Sequence, residues 1–295
     1  MELLYGRPVA DAILNTVREE IARSGKVPGL AVILIGNDPA SHLYARLKEK
    51  AAIEIGMHFE KHIFSETESE TVILKKIEEL NGAEDIHGII VQVPLPNGFD
   101  TDKIIAAIDP KKDADGFHPE TVRRFLAAPT PQSRRLDSSP RAGERGAEVS
   151  IPVFPDALLE LAKSSGKSLP GLSGVVVANS EYFGSVMLQA MQNEGITARM
   201  ILGDDFQKGE EKIDDVDIVF SACGVPNMIT SHQVQEGAIL IDGGISKQEE
   251  QIVGDVDHES VTSKASFLSP VPGGVGPVTI ACLLRRTLHL SQKKV

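Results

Sequence analysis

Two kinds of apolar pattern alternate along the chain. Residues 8–24, PVADAILNTVREEIARS, place apolar side chains at helical spacing and end near Gly25, which predicts a helix. Residues 29–36, GLAVILIG, are a short apolar run rich in β-branched residues between glycines, which predicts a buried strand. In 38–56, DPASHLYARLKEKAAIEIG, an oxygen-bearing Asp38 precedes Pro39, a helix start. Leu43, Leu47, Ala51 and Ile55 recur there every fourth residue and form the expected apolar stripe. A strand at 58–64, a helix at 68–81 and a buried strand at 88–93 follow. The alternation restarts after residue 150, with a helix at 155–164, a strand at 175–177, a helix at 184–193, strands at 196–202, 217–222 and 238–241, and a last helix at 280–290.

This pattern predicts an α/β chain of two domains with parallel sheets, the second of Rossmann type. Ligands on such sheets bind outside the carboxyl ends of the strands. The first-half ends are Gly36-Asn37-Asp38, which opens the 38–56 helix, and Gln92-Val93-Pro94-Leu95-Pro96. Both point to one site. Tyr44 and Lys48 are four residues apart, so they share one face of the predicted helix. A phenol beside an amine is either a solvated face or acid–base machinery, and the amine serves as a base only if burial or a nearby cation lowers its pKa. Gln92, at the end of a buried strand, either bonds nearby backbone or serves a ligand. Asp113 and Asp115 in Lys112-Asp113-Ala114-Asp115-Gly116 are turn residues or a carboxylate held inward. Ser269 to Thr279 is a Pro/Gly-dense loop that brings backbone close to a ligand or a neighbouring segment.

Composition narrows the classes. The 295 residues suit two domains, and 41% hydrophobic residues suffice for sizeable cores. No apolar run reaches membrane-spanning length, and the first residues, MELLYGRPVADAIL, lack the pattern of a secretory signal. Cys223 and Cys282 read as buried thiols of a reducing, cytoplasmic compartment. A net charge of −12 argues against nucleic acid as a partner. No metal site is expected. Residues 127–150, rich in Pro, Ser, Arg and Gly, read as an inserted surface loop. The expected domains are 1–126 and 151–275, with 276–295 returning to the first.

The segments DPASHLYARLKEKAAIEIG, GIIVQVPLP, KKDADGFHP, VDIVFSACGVPNMI, GAILIDGGI, VGDVD and SPVPGGVGPVTIACLLRRT occur in one order. Together they resemble the methylenetetrahydrofolate dehydrogenase/methenyltetrahydrofolate cyclohydrolase family. The resemblance implies that Lys48 of YxxxKxK is the catalytic base and that Tyr44 packs on the folate. It implies that Gln92 supports the lysine and that Asp115 anchors the pterin. Val91, Pro94, Pro272 and Gly273 are implied to line the folate cleft. Ser180, Gly184, Asp204, Gly224 and Thr279 fall on the nucleotide-binding motifs. The family further implies tetrahydrofolate derivatives as ligands and a homodimer.

The second half departs from the family's pattern. GRSxxVG becomes Ala178-Asn179-Ser180-Glu181-Tyr182-Phe183-Gly184, so Asn179 replaces an arginine. The HSRT-like segment becomes Leu202-Gly203-Asp204-Asp205, and PCTP becomes Pro152-Val153-Phe154-Pro155. With the folate motifs intact, these changes predict a cyclohydrolase that has selectively lost useful NADP binding, with dehydrogenase activity weak, absent or moved to NAD. NAD is the alternative nucleotide, with its ribose on Asp204 or Asp205. The alternative functions are the full bifunctional NADP enzyme and a catalytically silent folate-binding subunit. The intact Lys48, Tyr44, Gln92 and Asp115 set argues against the last.

Overall fold

The structure, a computed structural model, describes residues 1–129, 150–209, 211–249 and 251–292. Most of the expected 127–150 insertion lies outside the described residues. The chain forms two compact units, each described by itself. One comprises Ala10–Arg123 with Ile280–Val295, the other Met1–Val9 with Arg124–Thr279.

The first unit holds a three-stranded parallel sheet in the order β3-β2-β4: β2 is Gly29–Ile35, β3 His58–Phe64 and β4 Gly88–Val91. Every residue of β2 is buried, as its unbroken apolar run requires for a central strand covered on both faces. Helices α1 (Gly6–Ser24), α2 (Pro39–Glu54) and α3 (Glu70–Gly82) alternate with these strands, and α4 (Thr101–Ala106) and α5 (Pro119–Ala127) follow. On one sheet face, Ala31, Ile33 and Ile35 of β2 and Ile89 and Val91 of β4 pack with Ile73 and Ile77 of α3 and with Ile104 of α4.

The α2 stripe differs from the sequence expectation. Leu43 and Leu47 are exposed, and the buried face carries Ser41, Ala45, Lys48 and Ala52. Small side chains let the helix lie close to the sheet, and a four-residue leucine spacing alone does not say which stripe faces inward. The consequence is chemical, because the inward face carries the lysine.

The second unit holds a six-stranded sheet in the order β1-β11-β8-β7-β5-β6, with every neighbouring pair parallel. Its strands are β1 (Glu2–Leu3), β5 (Ser173–Ala178), β6 (Thr197–Leu202), β7 (Ile218–Ala222), β8 (Ile239–Asp242) and β11 (Phe267–Leu268). Helices α6 (Val153–Ser164), α7 (Glu181–Asn193), α8 (Gly203–Gln207) and α9 (His258–Val261) accompany them. A small antiparallel pair, β9 (Ser246–Gln248) and β10 (Gln251–Val253), lies outside that sheet. Val175, Val177, Val219, Leu240 and Leu268 form part of the core. The last helix, α10 (Val275–Gln292), belongs to the first unit from Ile280 onward. Both cysteines are free; Cys282 is buried as expected, but Cys223 is only half-buried, because it stands in a strand-end loop and not within the core.

Candidate active site

In the three-stranded unit, local structure delivers each side chain to one end of the sheet. Asp38 caps α2, its Oδ2 accepting from the Ser41 N–H at 2.7 Å. Lys48, farther along the inward face, is buried to 9% exposure. Its Nζ donates to Gln92 Oε1 at 2.7 Å. Gln92 follows β4, and its own N–H donates to the Ile33 carbonyl at 2.8 Å, continuing the parallel ladder. The Gln92 Nε2 donates to the Val93 carbonyl at 3.0 Å. That bond turns the carboxamide so that its oxygen, and not its nitrogen, meets the lysine.

The 112–115 segment runs alongside β4. Ile89 N donates to the Lys112 carbonyl at 2.7 Å, and a parallel bridge joins Ile89 to Asp113. Asp115 therefore emerges at the same carboxyl end as Gln92. The two aspartates divide the readings that the sequence left open. Asp113, 2% exposed, is the turn residue: its Oδ1 accepts from Gly116 N–H at 2.9 Å and its Oδ2 from His118 N–H at 3.0 Å. His118 Nδ1 accepts from Glu120 N–H at 3.0 Å, so its Nε2–H donates to the Ala106 carbonyl at 3.2 Å. Asp115 keeps an open side.

Burial lowers the Lys48 pKa from the usual ammonium range, and the Asp115 carboxylate works against that shift. Asp115 is pushed up by loss of water, pulled down by Lys48, pushed up by Asp113 and pulled down by Arg286. Tyr44 is half-buried, and burial raises its phenol. The arrangement brings a desolvated amine, an amide acceptor and a carboxylate to one strand end. Val91 is buried in β4 and Pro94 is exposed in the loop beyond it. Arg286 was not singled out in the sequence, where it is one of two arginines in a helical pattern.

In the six-stranded unit, Pro272 and Gly273 are exposed in the loop before α10, and the Gly273 carbonyl accepts from Gly6 N–H at 2.8 Å. Thr279 Oγ1 donates to the Val275 carbonyl at 3.1 Å. The turn from β5 to α7 carries Asn179, Ser180 and Glu181, all exposed, with Ser180 Oγ accepting from Phe183 N–H at 3.4 Å as the helix cap. A Cβ on Gly184 would come within 2.3 Å of Met200 Sδ and 3.0 Å of Ala178 Cβ, so an added side chain must displace Met200 or move α7 off the sheet. That close helix–strand approach is a dinucleotide-fold requirement, and these residues fit such a ligand. Phe154 and Phe183, both at departures from the family motifs, meet with ring centroids 5.2 Å apart. Asp204 is exposed in the first turn of α8 after β6, and Gly224 follows β7 with its carbonyl accepting from Ser246 Oγ at 2.7 Å.

Two buried carboxylates that the sequence reading did not single out shape the same end of this sheet. Asp255 accepts from Ser221 Oγ at 2.5 Å, Cys223 N–H at 2.7 Å and Val225 N–H at 2.9 Å, and so fixes the loop after β7. Asp242 accepts from the N–H groups of Gly244, Asp255 and Val256. Burial pushes Asp242 up to about 7 and the Cys223 thiol up to about 12, so Cys223 is no thiolate nucleophile at neutral pH. Their signal was the pair of motifs DGG and GDVD.

His58 and His62 stand at HxxxH spacing on β3, a pattern the expectation of no metal site passed over. The ligand atoms of His58, Glu60 and Asp85 lie within 4.8 Å of one another. The Glu60 oxygens already engage His58 at 3.1 Å and His62 at 2.8 Å, and these three form a hydrogen-bonded group on the edge strand β3. Among the described residues no helix is long and apolar enough to cross a membrane.

Residues 4–115 match the family model described as tetrahydrofolate dehydrogenase/cyclohydrolase, catalytic domain, and residues 152–295 match its NAD(P)-binding domain. The chain is 38% identical over 294 residues to the bifunctional protein FolD of Exiguobacterium sp., covering 99% of each. It superposes on the bifunctional FolD methylenetetrahydrofolate dehydrogenase/cyclohydrolase of Campylobacter jejuni with a TM-score of 0.84 at 33% identity, covering 99% of both chains. A Trypanosoma brucei FolD, solved with NADP cofactor and an inhibitor, superposes with a TM-score of 0.85 at 29% identity, covering 98% of this chain and 97% of that one.

Proposed function

Since the chain belongs to the tetrahydrofolate dehydrogenase/cyclohydrolase family, we propose that it is bifunctional: it oxidises 5,10-methylenetetrahydrofolate with NADP and hydrolyses the 5,10-methenyl product to 10-formyltetrahydrofolate. The observation that carries the hydrolytic half is the buried Lys48 amine, 2.7 Å from Gln92 Oε1 and electrostatically coupled to Asp115. Neutral Lys48 takes a proton from water. The resulting hydroxide equivalent adds to the cationic amidine carbon; the Lys48 ammonium then returns its proton to N5 as the carbon–N5 bond breaks, and the added hydroxyl loses its proton to solvent as the formyl carbonyl forms. Gln92 holds the amine in place. Asp115 accepts from the N–H groups of the amino-pyrimidine edge, and Tyr44 packs against the folate.

The expectation of a selectively lost dehydrogenase gives way to this reading. Glu181 and Asp204 are exposed, so water and salt screen their repulsion of a nucleotide phosphate, and Asn179 is neutral. The relatives that match the whole chain are named bifunctional. Ser180 and the N-terminal end of α7 would hold the pyrophosphate. When bound, NADP would supply the hydride acceptor for oxidation of the methylene carbon. Asp204, just past β6, supports a second reading in which NAD is preferred.

Calorimetric titration with each nucleotide, followed by methylene oxidation, tests the proposal. NADP binding in the micromolar range with turnover of roughly 1–10³ per second is expected. Binding of NAD alone favours the second reading, and binding of neither removes the dehydrogenase half.

A further inference from the structure

Arg286 is a buried cation for which the hydrolytic scheme has given no task. It sits on α10 at 7% exposure. A guanidinium stays charged at every working pH and, once buried, needs acceptors. Its Nε donates to the carbonyl oxygen of Asp113 at 3.2 Å. The helix is pressed against this spot: a Cβ on Gly88 would come within 2.9 Å of Ala114 Cβ and 3.1 Å of Thr287 Oγ1. The charges acting on the Asp115 carboxylate come from three elements: Lys48 from α2, Asp113 from its own segment and Arg286 from α10.

We infer that Arg286 is a positioning residue of the hydrolytic site, gripping the Asp113–Asp115 turn through the Asp113 carbonyl and adding a fixed positive charge that favours the carboxylate form of Asp115. Two consequences follow from a counter-charge that cannot deprotonate. The positive charge beside the turn persists when Lys48 is neutral, which is the form in which Lys48 works as a base. The backbone grip also keeps the carboxylate at the strand end where the pterin edge must meet it. The inference rests on the hydrolytic reading proposed above.

The test compares Arg286→Gln, which keeps a donor but drops the charge, with Arg286→Lys, which keeps the charge. The readout is the pH profile of methenyl hydrolysis. In Arg286→Gln the acidic limb of kcat/KM is expected to move up by about one pH unit, because a nearby cation lowers a carboxylate pKa by that order. Below the limb this is roughly a tenfold loss. It should appear in KM more than in kcat, and Arg286→Lys should return most of the shift. A folded Arg286→Gln with the wild-type limb, or an Arg286→Lys that behaves like it, overturns the inference. Should Arg286→Gln fail to fold, the lysine variant decides alone: a limb moved by a full unit with the charge retained overturns it. The pH dependence of tetrahydrofolate affinity, measured by calorimetry on the same proteins, reads Asp115 without turnover. If the wild-type chain hydrolyses nothing, the proposed function has failed, and the calorimetric limb still tests Arg286.

Discussion

Lys48 is costly where it sits, and the cost has a sign. Burial lowers its pKa below 10.5, so between the lowered value and 10.5 the unfolded chain binds more protons than the folded one. Stability therefore rises with pH across that window. Lys48→Met should be more stable than wild type near neutral pH and should lack this rise; urea unfolding at about pH 7 and about pH 10 measures both. Equal slopes in the two proteins contradict the buried-base description. Asp115→Ala should weaken folate binding by about 1.5–3 kcal/mol, read by calorimetry. Because burial raises the Asp115 pKa, wild-type folate affinity should fall as pH drops through a value above 3.8, and the alanine variant should lose that dependence. Lys48, Gln92 and Asp115 were legible because each sits in a motif of fixed spacing. The division of labour between Asp113 and Asp115 was not, since it depends on which carboxylate meets the N–H groups of Gly116 and His118. Arg286 was invisible because its partner carbonyl lies 173 residues away in the chain.

The element on which the chemistry depends is α2. Its capping by Asp38 and its inward face of small residues set the depth and direction of Lys48. Asp38→Ala should cost about 1 kcal/mol in urea unfolding. It should also lower hydrolytic kcat, because the first turn no longer anchors the helix; an unchanged kcat would mean that the sheet contact alone positions the lysine. Long periodic segments such as α1, β2 and α3 were readable from their patterns within a few residues at each end. The two-residue strands β1 and β11 were not. They hold no period to read and exist because Glu2 and Leu3 pair with Phe267 and Leu268. The α2 leucines misled for the opposite reason: the period was plain, but Ala45, Ala52 and Lys48 occupy the face that packs.

At the scale of the molecule, two parallel sheets each offer a carboxyl end, one bearing an amine base and the other a glycine-dependent helix approach. These tasks should be separable. Gly184→Val should lower nucleotide affinity at least about tenfold, since the added side chain would meet Ala178 of β5 as well as Met200 and push α7 off the sheet. Methenyl hydrolysis should persist in a folded variant, and its loss would show that the second unit does more than hold nucleotide. The most direct test supplies 5,10-methylenetetrahydrofolate and NADP to wild type and to Lys48→Met and follows all folate products in time. Wild type should reduce the nucleotide and release 10-formyltetrahydrofolate. Lys48→Met should accumulate the 5,10-methenyl form, with 10-formyl production lowered by roughly 10²–10⁴-fold. A wild type that leaves the nucleotide oxidised, or a Lys48→Met that forms the 10-formyl product at more than about a tenth of the wild-type rate, would contradict the account.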